Sequence, residues 1–254
     1  MNERWRVSWE RVGLGLTVSF GLLWLVSLIF YDFTPWYLAS RISRDDPSLR
    51  VVPIQVPVRT VAKLTGARIG LFEFSFQVPW TDYDSRTDSK LVRYVRFKNG
   101  VSLMVFNPTS AVNGANANIV KGTSEHDRRI ILGIMGSRAL SSNCDFMAAE
   151  LAATPDQVKW WKPRTENTQN MILLTLKSME MHDFREIYTL EFGEMRGFQF
   201  GDPAVPPYKV WLDLYDVNNR RYQIWMVAHI PSQPFLSQAE INGIVASLHP
   251  IPHS

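Results

Sequence analysis

Few residues in this chain have the type and spacing that chemistry requires. Its one cysteine, Cys144, stands in Ser142-Asn143-Cys144-Asp145, at a capped helix start. A helix N-terminus favours the thiolate, and the neighbouring carboxylate opposes it. Cys144 therefore reads as a buried structural thiol, and a single cysteine excludes an internal disulfide framework. Five histidines occur, His126, His182, His229, His249 and His253, with no His-Glu-x-x-His among them. Pro250 and Pro252 deny His249 and His253 the helix that would place both rings on one face. Those two read as a frayed tail rather than a metal pair. Asp82-x-Asp84-x-x-x-Asp88 has calcium-loop spacing, but Thr87 stands where the turn glycine belongs and Arg93 replaces the closing glutamate. A solvated acidic turn is expected there. Glu191 and Glu194 are a carboxylate pair that spacing alone does not bring to a cleft. The chain has no Gly-x-Ser-x-Gly elbow, no phosphate loop and no Cys-x-x-Cys-His. The expectation is a non-enzymatic protein with no cofactor, no metal site and no catalytic residue.

What remains is surface. Lys159-Trp160-Trp161-Lys162-Pro163-Arg164 sets two indoles among three cations. At an exposed bend, Trp160, Trp161, Lys162 and Arg164 would form a partner-binding or membrane-interface spot, since Trp and Arg are favoured interface anchors. The alternative is that Trp161 fills the core while the cations are solvated. Gly201-Asp202-Pro203-Ala204-Val205-Pro206-Pro207 reads as a rigid loop.

Positioning begins with the first third of the chain. Val12 to Tyr31 is twenty residues without a charge, bracketed by Arg11 and Asp32. As a helix this run is about 30 Å long, the thickness of a hydrocarbon core. Trp5 and Trp9 precede it, and Trp36 and Tyr37 follow it, as in the aromatic belts of membrane interfaces. A cleavable signal would need a small-x-small site, and the nearest small pair, Ala39-Ser40, has Tyr37 or Leu38 at the upstream position. An uncleaved anchor is expected. Gly13, Thr17 and Gly21 recur every four residues, a row of small side chains that lets two membrane helices approach. Three Arg precede the span (Arg4, Arg6, Arg11) and three follow it (Arg41, Arg44, Arg50), so charge does not decide orientation. A short N-terminus usually stays inside, which predicts a cytoplasmic 1–11, a span at 12–31 and an extracytoplasmic remainder at the plasma (inner) membrane.

Charge also excludes a class of partner. Residues 1–59 hold seven Lys and Arg against five Asp and Glu, and the rest of the chain holds twenty against nineteen. No basic face gathers for nucleic acid.

Beyond the span, Thr34-Pro35 predicts a short juxtamembrane helix to about Ile42. The Asp46-Pro47, Val52-Pro53 and Val56-Pro57 steps predict an extended spacer over 44–66 that holds the next domain away from the bilayer. Residues 32–66 thus connect the span to a domain at 67–254. In that domain Phe72–Pro79 alternates as a strand. Leu91–Phe97 and Val101–Phe106 flank the turn signal Asn99-Gly100. Met171–Met181, Ile187–Phe192 and Gly197–Phe200 are further expected strands, and Val210–Tyr215 with Tyr222–Ala228 is a second hairpin turning at Asn218-Asn219. Helices are expected from Ser124 to Met135, from Ser142 to Ala153, briefly from Thr154-Pro155-Asp156-Gln157 to about Trp161, and from Ser237, where Glu240 completes a capping box. The fold class is α+β: a mostly antiparallel sheet with helices packed on it, behind one N-terminal transmembrane helix.

The opening Phe74-Ser75-Phe76-Gln77-Val78-Pro79-Trp80 strand, the later long hairpin and the closing helix from Ser237 to Leu248 resemble the PsbP type of α-β-α sandwich. They are also similar to membrane-anchored bacterial proteins of unknown function. The resemblance implies a non-catalytic module attached to other proteins, in some cases on photosynthetic membrane complexes, and carries no functional residue over. The function expected is an accessory subunit of an integral membrane protein complex, in contact with the lipid bilayer. A membrane-tethered module for a small ligand or lipid, its pocket lined by some of the nine Trp and fourteen Phe, is the alternative, and an unrecognised enzyme a third.

Overall fold

The computed structural model describes residues 34–108, 142–180, 184–228 and 234–251. Trp5, Trp9, the apolar run 12–31 with Gly13, Thr17 and Gly21, and the helix expected from Ser124 lie outside the described residues. Among the described residues no helix is long and apolar enough to cross a membrane.

The chain is helical over residues 34–45 (α1), beginning no later than the Thr34-Pro35 start signal. The strands are β1 (Ile54–Gln55), β2 (Arg68–Leu71), β3 (Phe74–Gln77), β4 (Tyr83–Asp88), β5 (Val92–Phe97), β6 (Val101–Phe106), β7 (Ile187–Phe192), β8 (Met195–Phe200), β9 (Lys209–Tyr215), β10 (Arg221–Ala228) and β11 (His249–Pro250). Three further helices are α2 (Asn143–Ala152), α3 (Arg164–Glu180) and α4 (Gln238–Ala246). The fold is α+β. Eight strands form a mixed sheet in the order β1-β7-β8-β9-β10-β6-β5-β4, parallel at β1–β7 and antiparallel at its other pairs. A separate sheet has the order β11-β3-β2.

Alternation along the strands sorts side chains to two faces. Val210, Leu212 and Leu214 of β9, Tyr222, Ile224 and Met226 of β10, and Leu103 and Val105 of β6 point one way. They join Phe74 and Phe76 of the small sheet and Ile241, Ile244 and Val245 of α4 in the main core. On the other face Ile187, Phe198, Phe200 and Tyr215 pack against Cys144, Met147 and Leu151 of α2. Outside α2, a third cluster joins Ala39 of α1 to Phe146, Ala153, Val158, Leu173 and Leu174. The order is therefore small sheet with α4, large sheet, α2, then α1 and α3.

Local chemistry explains the turns and caps. Gly100 has φ 84°, as the β5–β6 hairpin requires, and Asn219 supplies φ 63° at the β9–β10 turn. Ser237 accepts from the Glu240 N–H at 3.3 Å, and the Glu240 carboxylate accepts from the Ser237 N–H at 2.8 Å. That is the reciprocal capping box expected at this helix start.

Four expectations change. The strand expected at Met171–Met181 is, over Met171–Glu180, the second half of helix α3; Met181 lies outside the described residues. Its inward face is Asn167, Asn170, Leu173, Leu174 and Lys177, all buried; three of the five are polar, which hid the helical period behind an apolar run. The strand at Phe74 does not enter the main sheet, because it pairs with β2 and β11 instead. The acidic stretch Asp82–Asp88 is mostly edge strand β4 rather than a turn, with Asp84 and Asp88 3.6 and 3.8 Å from Arg96 and Arg93 of β5. Finally, 44–66 is not a free spacer. Leu49, Val56 and Leu64 are buried. The Asn242 amide donates to the carbonyls of Val58 at 2.7 Å and Thr60 at 3.0 Å, and the Ala62 N–H donates to the Ala239 carbonyl at 2.9 Å. The prolines do keep this segment extended, but as a strap laid across the domain.

Candidate membrane-facing surface

The Lys159–Arg164 turn is fixed from beneath. Val158 is buried in the helical cluster. Asn167, in the first turn of α3, is also buried. Its carboxamide oxygen accepts from the Lys159 N–H at 3.2 Å, and its amide donates to the Lys159 carbonyl at 2.7 Å and the Lys162 carbonyl at 3.4 Å. Lys162 pairs with Glu166 one helical turn on. With the backbone held this way, both indoles project outward: Trp160 is 56% and Trp161 64% exposed. Trp161 therefore does not fill the core. The rings meet edge to face at 5.6 Å, and the Lys159 ammonium lies 5.7 Å from the Trp161 ring centre.

Helix α1 lies beside this turn. Trp36 packs inward on the helical cluster, so of the four aromatics expected at the interface the two among the described residues divide, and only Tyr37 stands out. Tyr37 and Leu38 are 49% and 43% exposed. Thr34, Pro35 and Leu38 form one wall of an apolar groove of about 700 Å³, and Arg164, Thr168, Met171, Ile172, Thr175 and Leu176 of α3 form the other. On the opposite side of α1, Trp36, Ser40 and Ser43 face Pro155, Asp156, Val158 and Lys159. Arg164, three residues past Trp161, thus lines the groove together with Thr34 and Pro35 at the start of α1.

Lys177 ties that edge to the rest of the domain. It is fully buried. Its ammonium donates to the carbonyls of Val51 at 2.6 Å, Leu151 and Ala153 at 2.8 Å, and Leu49 at 3.2 Å. Three N–H donors serve four acceptors, so one hydrogen is shared. Leu151 and Ala153 close α2, where carbonyls lack helical partners and the helix dipole is negative. Leu49 and Val51 belong to the start of the strap. One side chain thus joins α3, α2 and the strap. Burial pushes the ammonium down to about 8, while the Glu150 and Asp46 carboxylates oppose the fall. The group remains mostly charged at neutral pH.

Comparison with protein-family models, with curated proteins and with solved structures gives no match in any of the three. The function must be argued from the chain's own residues.

The other polar clusters are mainly structural in character. Asp213 and Arg221, both buried, form a bidentate ion pair between β9 and β10. Burial pushes the Cys144 thiol up to about 11, with Arg196 opposing and Asp145 and Asp213 adding to the rise, so it stays a protonated thiol. The Tyr188 hydroxyl lies 2.6 Å from Glu186 and 3.1 Å from Asp202. Burial, then these carboxylates, push the phenol far up, so it serves as a neutral donor. A cavity of about 570 Å³ adjoins this cluster, walled by Phe184, Arg185, Lys209 and the Gly201–Pro207 loop. Glu191 and Glu194 are exposed, and Glu191 borders a cavity with Gln55, Arg59 and Thr189. Among the described residues no three His, Cys, Asp or Glu side chains converge to hold a metal ion.

Sequence reasoning found the indoles and cations of the edge through their clustering. It missed Lys177, whose only signal was its place on the α3 stripe, and it missed the groove because α3 read as a strand.

Proposed function

We propose that this chain is a non-enzymatic, single-pass membrane protein whose α+β domain serves as an accessory subunit of a larger integral membrane complex. The observation that carries the reading is the uncharged run from Val12 to Tyr31, which ends three residues before Thr34 of α1. The N-terminus is cytoplasmic and the domain lies on the far side of the plasma membrane. Gly13, Thr17 and Gly21 supply the face on which the span meets partner helices. Helices on one side of the large sheet, and α4 with the small sheet on the other, are the support for a PsbP-like sandwich.

The test is isolation of the tagged full-length chain from native membranes in mild detergent. A partner set in fixed ratio is expected, and it is expected to be lost when Gly13, Thr17 and Gly21 are all replaced by Leu. A chain that emerges alone and monodisperse sinks the subunit reading. The apolar groove of about 700 Å³ between α1 and α3 favours a second reading in that event, a tethered module for a lipid or small apolar ligand.

A further inference from the structure

We propose that the edge formed by the start of α1, the α1–α3 groove and the Trp160–Trp161 turn rests in the headgroup layer of the bilayer and prefers anionic lipid. The proposal rests on the membrane-anchored reading above and adds the face by which the domain meets the membrane.

The argument is first one of reach. Extended chain covers at most about 3.6 Å per residue, so Thr34 lies within roughly 11 Å of a span that ends at Tyr31. The headgroup layer is itself about 5–7 Å deep on each side of the hydrocarbon. Thr34 and Pro35 are therefore held within the headgroup layer or a few ångströms beyond it. The same two residues line one groove with Arg164 and Thr168, so the first turns of α3 border the groove that the start of α1 borders. Trp161 precedes Arg164 by three residues on a turn pinned to α3 by Asn167. The strap cannot lengthen the tether, because it follows α1 and is bound across the domain.

The chemistry of the edge matches that position. Trp160 and Trp161 present large rings with polar N–H groups, the side chains that partition to membrane interfaces. Tyr37 and Leu38 stand exposed on the α1 side. The walls of the groove are mostly apolar. Along the turn, Lys159, Lys162 and Arg164 outnumber Asp156 and Glu166, of which Glu166 pairs with Lys162; on α1, Arg41 and Arg44 accompany Asp45. The balance is positive but small, so burial of the rings supplies most of the contact and charge supplies the preference for anionic headgroups.

The test uses the full chain in protein-free nanodiscs of phosphatidylcholine with or without phosphatidylglycerol. Cys144 is buried, so a Trp161→Cys variant has one accessible thiol for a fluorescent label. Leu38→Cys labels the α1 side, and Val217→Cys, 71% exposed at the β9–β10 turn, is the reference. Quenching by a nitroxide carried at the lipid headgroup is expected to be at least severalfold stronger at 161 and 38 than at 217, and stronger again with phosphatidylglycerol. Equal quenching at all three sites, with the chain still retained in carbonate-washed membranes, overturns the proposal and leaves the anchor standing. Release of the chain by carbonate removes the anchor and the proposal together. Shielding at 161 that appears only when a co-purified protein is added assigns the edge to a protein partner and overturns the proposal.

Discussion

Lys177 is an ammonium held by backbone carbonyls from three segments, so its removal would leave several acceptors without a donor at once. Lys177→Met is expected to lower stability by about 3 kcal/mol, read as a shift in denaturant midpoint of the detergent-solubilised chain. Its pH dependence has a definite sign. The folded-state value, about 8, lies below the ordinary 10.5, so between those values the unfolded chain binds more protons than the folded one. Stability from this group therefore rises as pH climbs from about 8 to 10.5. The gap between wild type and Lys177→Met should widen across that window. A gap that narrows would mean that the carbonyl cage, not burial, dominates the ammonium. The Asp213–Arg221 pair makes a separate test. Asp213→Leu alone deprives a buried guanidinium of its carboxylate and should cost about 3 kcal/mol. Adding Arg221→Leu should recover most of that loss, because two buried charges removed together cost little.

At the scale of elements, the sequence was legible where a local signal decided the structure. Asn99-Gly100 specified its hairpin because a tight turn needs positive φ, and Ser237 with Glu240 specified the start of α4 because orphan N–H groups need acceptors. It was illegible where a distant partner decided. Nothing local to Asn167, Asn170 and Lys177 marks them as inward-facing; their partners are carbonyls of the 158–163 turn, of Gln157 and of α2 and the strap. The strap shows the same limit, since its prolines encode extension but not where the extended chain lies. Its seat is encoded instead in α4. A Cβ on Gly243 would stand 2.6 Å from the Ala62 carbonyl oxygen, so only glycine lets strap and helix meet. Gly243→Ala should destabilise by about 2 kcal/mol through overpacking, and native-state hydrogen exchange should rise in 56–64. Ser237→Ala should cost about 1 kcal/mol and leave the strap protected. Equal exchange in both variants would mean that the strap is not seated by that contact.

For the whole molecule, these contacts decide how the domain stands relative to the proposed anchor. A free 44–66 spacer would let the domain sample many orientations, and a partner-binding surface would be diluted among them. The observed arrangement restricts that freedom, because α1 packs on the domain from residue 34 onward and Lys177 locks the strap start to α2 and α3. The candidate edge was thus half legible: the indoles announced a surface, while its closeness to residue 34 required α3 to be a helix and α1 to lie along it. Orientation of this kind predicts the effect of lengthening the tether. A flexible Gly-Ser insertion between Asp32 and Phe33 should leave the chain resistant to carbonate extraction, since the span is untouched. It should reduce severalfold the headgroup quenching of a label at position 161, since linker freedom grows with length. The amount of partner recovered should fall with it. If quenching and partner recovery both stay at the wild-type level, the edge adheres by its own affinity, and the two exposed indoles rather than the short tether set the stance of the domain.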